Sequence, residues 1–257
     1  MSTSIKSTER FSNTVEYYIK YRPHYPQQII ALLIKHCLLG PSKIIADIGS
    51  GTGILTKLLL DNNFQVRGVE PNQAMRIAAE QILQNYKNFT SLDGTAEQTT
   101  LVSHSIDLIT VAQAFHWFDP IKVKQEFLRI LKPDGWCVLL WNLRDSLASP
   151  FMHAYEELLL KHGTDYKQVA AENVKDEKIR KFFNPLPMNI EIVENIQILD
   201  WEGVKGRILS TSYLPKTEDQ AYTILMQNAK QIFEHYQQEG KVNFIYQCKC
   251  YYGQLSV

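Results

Sequence analysis

The stretch that most constrains the fold of this chain is residues 44–70, which read IIADIGSGTGILTKLLLDNNFQVRGVE. The opening apolar run is β-branched and short, which is typical of a buried parallel strand. After a glycine-rich turn, isoleucine and leucine recur at helical spacing, and residues 65–69 read as a second strand that stops at Glu70. The stretch therefore predicts a β-α-β unit with a carboxylate at the end of its second strand.

Glycines occupy alternate positions in the turn, at Gly49, Gly51 and Gly53. Without Cβ atoms they permit a tight turn and let a ligand approach the backbone. The unpaired amides at the start of the next helix attract polar or anionic groups. Glu70 can accept hydrogen bonds from the two hydroxyls of a ribose. We therefore expect the unit to bind a nucleoside-containing cofactor.

The spacing of the glycines discriminates between cofactors. In the dinucleotide fingerprint G-x-G-x-x-G the third glycine would fall at position 54, which is Ile54 here. The pattern is instead D-x-G-x-G-x-G, beginning at Asp47. A nicotinamide oxidoreductase is therefore the less favoured alternative.

Composition argues against several other classes of protein. The formal net charge is zero over 257 residues, so bulk electrostatics indicate neither a nucleic-acid partner nor a membrane surface. No apolar run approaches the roughly 18 residues of a membrane-spanning helix, and the first residues lack the apolar core of a secretory signal. We expect no metal site and a reduced, cytoplasmic location, because the cysteines lack metal-ligand spacing: Cys37, Cys137, Cys248 and Cys250.

Strand and helix patterns continue to alternate beyond Glu70, which predicts a doubly wound, mostly parallel sheet. The predicted helices and strands are a helix at 72–85, strands at 89–92 and 105–112, a helix at 120–131 and a strand at 136–142. The second half predicts a strand at 190–201, a helix at 217–238 and a last strand at 243–254. We treat 1–257 as one domain, with a cofactor-binding core at 15–142, a helical lid insertion at 143–187 and completing elements at 188–257.

Five segments together resemble a class I S-adenosylmethionine-dependent methyltransferase: DIGSGTG, VEPN, GTAE, SIDLITVAQAFHWFD and LRILKPDGW. Among these enzymes the chain is similar to the small-molecule group that includes trans-aconitate and ubiquinone-biosynthesis methyltransferases. The motifs cover roughly residues 15–142. The resemblance implies S-adenosylmethionine as cofactor, a small-molecule acceptor, and an α/β Rossmann-like sheet of seven strands, mostly parallel, with an antiparallel last strand.

The resemblance also implies which residues contact the cofactor. The glycines would lie behind its methionine and ribose, Asp47 would reach its ammonium group, and Glu70 would hold its ribose hydroxyls. Thr95 stands where many relatives have aspartate, so it would be a weaker, uncharged acceptor for the adenine. The remaining implied contacts are Pro71, Asn72 and Ala96 at the adenine, Ala112 and Gln113 at the methionine end, and Tyr21 and Arg22 near cofactor and acceptor.

Methyl transfer from a sulfonium needs positioning and desolvation, and a general base only if the acceptor must lose a proton. His116 is the best base candidate, although a histidine among aromatic residues is often a packing residue. We expect an acceptor pocket with Arg22 and Arg144 as polar anchors, which favours a carboxylate-bearing or aromatic metabolite. Its expected aromatic walls are Tyr17, Tyr18, Tyr21, Trp117 and Phe151. A non-catalytic, methyltransferase-like binding module remains the alternative, and the sequence sets no oligomeric state.

Overall fold

The computed structural model describes residues 15–164, 166 and 176–255, without the side chains of residues 15, 16 and 18. Within these residues one mixed sheet has the order β3-β2-β1-β4-β5-β7-β6. Its strands are β1 (Ile44–Ile48), β2 (Gln65–Val69), β3 (Phe89–Leu92), β4 (Ile106–Ala112), β5 (Leu131–Arg144), β6 (Asn189–Leu199) and β7 (Val242–Gln254). Strands β1 to β5 pair in parallel, and β7 pairs antiparallel with both β5 and β6. The expected seven-stranded, mostly parallel sheet is confirmed.

Helices cover both faces of the sheet. They are α1 (Val15–Tyr21), α2 (Gln28–His36), α3 (Ile54–Asp61), α4 (Gln73–Leu83), α5 (Pro120–Ile130), α6 (Pro150–His162), α7 (Asp176–Phe183), α8 (Trp201–Leu209) and α9 (Tyr222–Tyr236). Successive residues of β1 serve opposite cores, because side chains of a strand alternate between faces. Ile45 packs in the core with α2 and α3, whereas Ala46 packs in the core with α5 and α7.

The second half departs from the sequence-based prediction in two places. Helix α8 was not predicted at all, and the helix predicted at 217–238 begins later, at Tyr222. Residues 216–219 instead form a turn, in which the Asp219 carboxylate accepts a hydrogen bond from the Lys216 amide at 2.6 Å. Aspartate competes in this way with helix formation through its own short side chain.

The proposed lid, 143–187, contains the end of β5, helix α6 and helix α7, while residues 165 and 167–175 lie outside the described part. Helix α6 is part of a hydrophobic core that it shares with α9 and β7. The interpretation of this segment as a lid remains a prediction. In the described part of the chain, no helix has the length and apolar character needed to cross a membrane.

Candidate active site

A cavity of about 380 Å³ opens at the carboxyl ends of β1, β4 and β5. Ligands of doubly wound sheets bind beyond these strand ends. Seven residues predicted from the sequence to bind cofactor or act in catalysis line it: Asp47, Gly49, Gly51, Ala112, Gln113, Arg22 and His116. Seven others do not: Gly53, Glu70, Pro71, Asn72, Thr95, Ala96 and Tyr21. The cavity therefore brings together the residues assigned to the methionine end, and not those assigned to the adenosine.

The glycine turn is held against the end of β2 by its own backbone. The amides of Gly49 and Ser50 donate to the Val69 carbonyl at 2.8 and 3.2 Å. Gly51 has φ of +57°, and a Cβ added there would meet only the Met75 Sδ atom, at 3.9 Å. Packing alone thus leaves room for a side chain at Gly51. The left-handed backbone and the neighbouring cavity are what require glycine at this position.

Glu70 ties the glycine turn to the start of α4. Its Oε2 atom accepts from the Gly51 amide at 2.9 Å, and its Oε1 atom accepts from the Asn72 amide at 2.8 Å. Burial raises the pKa of this carboxyl, and the two amides and the Arg76 charge oppose that rise without cancelling it. Each carboxylate oxygen accepts one protein hydrogen bond and retains a further lone pair. A structural role therefore accompanies the ribose contact that the sequence predicts.

Asp47 is a buried carboxylate, 1% exposed, at the end of β1 and in the wall of the cavity. Its two oxygens accept from the hydroxyls of Thr56, at 2.6 Å, and Thr110, at 2.9 Å. Burial raises the pKa of Asp47 to about 6, although both hydroxyls favour the charged form. The carboxylate is thus fixed in orientation and lacks a cationic partner among the described residues, a state that suits binding of an ammonium group.

Thr52 Oγ1 and His116 Nδ1 lie buried in the cavity wall without a hydrogen-bond partner among the described residues. The same holds for Arg144 Nε, although the Glu156 carboxylate approaches it at 3.7 Å. Buried polar groups are normally hydrogen-bonded, so each is a candidate ligand contact. Thr52 was missed by the sequence reasoning because a threonine inside a glycine turn has no distinctive signature. Burial lowers the pKa of His116 to about 4, so its imidazole is neutral at pH 7.

His116 also borders a second cavity of about 760 Å³. The walls of that cavity are mostly apolar and include the aromatic residues Phe115, Phe118, Trp141 and Phe182. His116 therefore lies between the polar cavity and an apolar one, and its ring centroid is 4.7 Å from that of Trp117.

On the predicted adenine side, side chains hold the backbone in place. Asn72 Oδ1 caps α4 by accepting from the Met75 amide at 3.0 Å. Thr95 Oγ1 accepts from the Gln98 amide at 3.1 Å, and Ala96 is buried. The contacts predicted for Asn72, Thr95 and Ala96 with the adenine remain predictions.

Gln113, directly after β4, adopts φ of +56°, which is unusual for a residue other than glycine. Two hydrogen bonds maintain this conformation: its amide donates to the Leu140 carbonyl at 2.9 Å, and its Nε2 atom donates to the Asn142 carbonyl at 3.2 Å. Strained backbone held by its surroundings is common at functional sites. The positive φ of Gln113 turns the chain at the cavity, where the sequence predicts that the methionine end of the cofactor binds.

The segment after α1 lies across the cavity. Asn142 and Asn195 both donate to the His24 carbonyl, at 3.3 and 2.6 Å, and Arg22 Nη2 donates to the Ser210 carbonyl at 2.7 Å. Arg22 lines the cavity as expected. Tyr21 does not, and a Cβ built at Gly206 would collide with its ring.

The expected aromatic walls of the acceptor pocket require correction. Tyr17 is 42% exposed and stacks on Tyr21, and neither lines the cavity. Phe151 is buried in the core with Tyr155 and Phe244 because it lies on the inward face of α6. Trp117 does line the cavity, and the side chain of Tyr18 lies outside the described part.

The part of the cavity around Arg144 contains residues that the sequence did not reveal. Arg207, Tyr166, Tyr213 and Glu156 line it together with the predicted Arg144. They come from α8, α6 and the segments that follow helices, so only the tertiary fold brings them together. No motif or periodicity in the sequence identified them.

Comparisons with known proteins relate this chain to methyltransferases. Residues 46–139 match the family model described as a methyltransferase domain. An uncharacterized methyltransferase of Mycobacterium tuberculosis is 36% identical over 135 residues, which are 52% of this chain and 53% of that protein. One from Schizosaccharomyces pombe is 29% identical over 152 residues, 59% of each chain. The matched region thus spans about half the length of these relatives.

Among solved structures, phosphoethanolamine N-methyltransferase 2 of Haemonchus contortus in complex with S-adenosyl-L-methionine superposes with a TM-score of 0.60. The match covers 100% of this chain and 62% of that protein at 16% identity. At this identity the likeness establishes the fold.

Proposed function

We propose that this chain, which carries a class I methyltransferase domain, transfers a methyl group from S-adenosylmethionine to a small-molecule acceptor. One observation carries the proposal within the matched domain. The glycine turn, the buried Asp47 carboxylate and the Glu70 carboxylate lie together at the carboxyl ends of β1 and β2. A nicotinamide cofactor is disfavoured because Ile54 begins α3 where a dinucleotide site would have its third glycine.

The residues present fit the proposed cofactor. Asp47 would pair with its ammonium group, the unpartnered Thr52 hydroxyl would bind its polar methionine end, and the open side of Gly51 leaves space for close approach. Glu70 would accept from the ribose hydroxyls with its remaining lone pairs. When bound, S-adenosylmethionine would supply a methyl group on a positively charged sulfur.

The chain itself would contribute positioning and exclusion of water. The segment at Arg22–Pro23 and the end of β5 enclose the cavity, so the acceptor would be held and desolvated there. His116 is neutral at pH 7 and could accept a proton, but its lowered pKa makes it a weak base. An acceptor that is already deprotonated would need no base.

We expect S-adenosylmethionine and S-adenosylhomocysteine to bind with micromolar dissociation constants and NAD to bind negligibly. The physical reason is the spacing of the glycine turn, which places Ile54 where the dinucleotide fingerprint has its third glycine. Isothermal titration calorimetry on the purified chain measures all three ligands. Tighter binding of NAD than of S-adenosylhomocysteine would refute the proposed cofactor.

Transfer of radiolabelled methyl groups to a panel of small metabolites separates an enzyme from a binding module. Label recovered in a small product supports the proposed reaction. Binding of S-adenosylhomocysteine with no transfer to any member of a broad panel would favour the non-catalytic module.

We expect the affinity for S-adenosylhomocysteine to fall as the pH drops below about 6. The pKa of Asp47 is raised from 3.8 to about 6, so this carboxyl loses its charge in that range and can no longer pair with an ammonium group. The dissociation constant should rise about tenfold for each pH unit below 6. Calorimetry between pH 5 and 8 checks this.

The raised pKa of Asp47 affects folding stability in the opposite direction, favouring low pH. The contribution of Asp47 to stability is fully present below pH 3.8 and is lost as the pH rises through about 6, because the folded state retains the proton longer. The variant Asp47→Asn should bind more weakly at pH 8 and show a flatter pH profile. An unchanged slope in that variant would assign the titration to another group.

A further inference from the structure

The guanidinium of Arg207 lies in the cavity wall, and the side chain is only 3% exposed. Its Nε atom donates to the Tyr246 hydroxyl and its Nη1 atom to the Ser210 hydroxyl, both at 3.3 Å. Both acceptors are neutral, and no carboxylate of the described residues forms an ion pair with Arg207. The charged side chain that acts electrostatically on Arg207 is Arg144, which is also positive.

A buried charge without a counter-ion destabilises a fold. Arginine carries five N–H donors, and Arg207 uses two of them in the described part of the chain. The side chain therefore lies at the cavity with spare donors and an uncompensated charge. Charged groups in such costly environments cluster at functional sites, which indicates that an anion enters with a ligand.

Arg144 presents a second guanidinium to the same cavity, in a fixed orientation. Its Nη2 atom donates to the Tyr166 hydroxyl at 2.8 Å and its Nη1 atom to the Tyr213 hydroxyl at 3.4 Å. Glu156 approaches its Nε atom at 3.7 Å, and that carboxylate also accepts from Tyr166. Glu156 therefore compensates Arg144, while Arg207 remains without an anion.

The field of these arginines extends to Tyr213. Burial raises the pKa of its phenol, but the positive charges of Arg144, Arg207 and Arg22 lower it by more, so the net direction is downward. A field that favours a phenolate would also favour a bound carboxylate and would repel an amine, which is cationic at pH 7.

We propose that Arg207, together with Arg144, forms an anion subsite that holds a carboxylate of the acceptor and selects acidic acceptors over neutral or cationic ones. This inference rests on the proposed function. The planar fork of arginine suits the two oxygens of a carboxylate. Arg144 and Arg207 both lie outside the matched residues 46–139, so the acceptor preference is set by the part of the chain beyond the family match.

The test uses carboxylates and their uncharged amides as shape-matched probes: acetate and acetamide, benzoate and benzamide, succinate and succinamide. Each is titrated into the full chain saturated with S-adenosylhomocysteine. At least one carboxylate should bind about tenfold or more tightly than its amide. A hydrogen bond to a charged group is stronger than one to a neutral group, and the difference corresponds to about a tenfold change in the dissociation constant. The variant Arg207→Met should remove this preference.

Thermal stability distinguishes a ligand site from a structural arginine. Because the guanidinium of Arg207 lacks an anionic partner, Arg207→Met should melt at the wild-type temperature or above it. Arg207→Lys retains the charge without the fork and should keep part of the preference. Arg180→Met removes an exposed arginine of α7 and is the matched control, with wild-type discrimination expected.

Three results would overturn the anion subsite. The first is equal binding of every carboxylate and its amide in the wild type, and the second is unchanged discrimination in Arg207→Met. The third is an S-adenosylhomocysteine affinity that falls more than threefold in Arg207→Met, which would place the guanidinium on the cofactor's own carboxylate. Failure of S-adenosylhomocysteine to bind the wild type would instead refute the proposed function.

Discussion

Replacing Gly51 by valine should weaken binding of S-adenosylhomocysteine by about 100-fold or more. Gly51 has φ of +57°, and its Cβ position is open except for Met75 Sδ at 3.9 Å. The new side chain would therefore occupy the ligand's side of the turn, and a displacement of about 1 Å at a binding site can have an effect of this size. Calorimetry with wild type and variant in parallel gives the ratio.

Gly240 offers a matched control for the strain of that substitution. It has φ of +76° in the turn before β7, and a Cβ there would meet nothing within 4 Å. Valine at either position should reduce stability by about 1–3 kcal/mol, since both backbones are left-handed. Only Gly51→Val should lose affinity. Equal affinities in the two variants would mean that the ligand does not approach this turn.

Replacing Glu70 by alanine should weaken S-adenosylhomocysteine binding by roughly 10- to 100-fold. A hydrogen bond to a charged group contributes about 1.5–3 kcal/mol, and each 1.4 kcal/mol is a factor of ten. The variant should still fold, but with a lower free energy of unfolding than wild type, because Glu70 also holds the backbone. The amides of Gly51 and Asn72 would lose their acceptor, at about 1–3 kcal/mol for each one left unsatisfied.

The variant Glu126→Ala is a control that separates the effect of Glu70→Ala on stability from its effect on ligand affinity. It is a buried carboxylate that accepts from the Thr99 amide at 2.8 Å and does not line the cavity. Glu126→Ala should lose stability while its affinity for S-adenosylhomocysteine stays within threefold of wild type. An unchanged dissociation constant in Glu70→Ala would reject the ribose assignment and leave Glu70 a purely structural role.

The first half of the chain was predictable because its signals are local. The β1-α3-β2 unit spans 44–69, and its glycine turn, helix and strand ends follow from residues a few positions apart. Asp47, Gly49 and Gly51 therefore line the cavity as expected, whereas Gly53 does not. Thr52 shows the limit of such patterns, because its unpartnered hydroxyl is recognisable only once burial is known.

The second half was harder because its elements are defined by distant partners. β7 pairs with β5, more than a hundred residues earlier, and this pairing sets Arg144 beside Tyr246. Helix α8 carries two glycines, Gly203 and Gly206, which lower its helix propensity and hide it from the sequence. Packing overrides that propensity, and a Cβ at Gly206 would collide with the Tyr21 ring.

The sequence by itself determined the sheet, the position of its cofactor turn and the resemblance to methyltransferases, because these depend on hydrophobic periodicity and short glycine spacings. Only the tertiary structure decided the part of the cavity around Arg144. Three residues meet there from separate parts of the chain: Arg144 from β5, Tyr166 from the segment after α6 and Arg207 from α8. No periodic pattern links residues so far apart. The uncompensated positive charge of Arg207 is a property of burial, and burial exists only after the chain has folded.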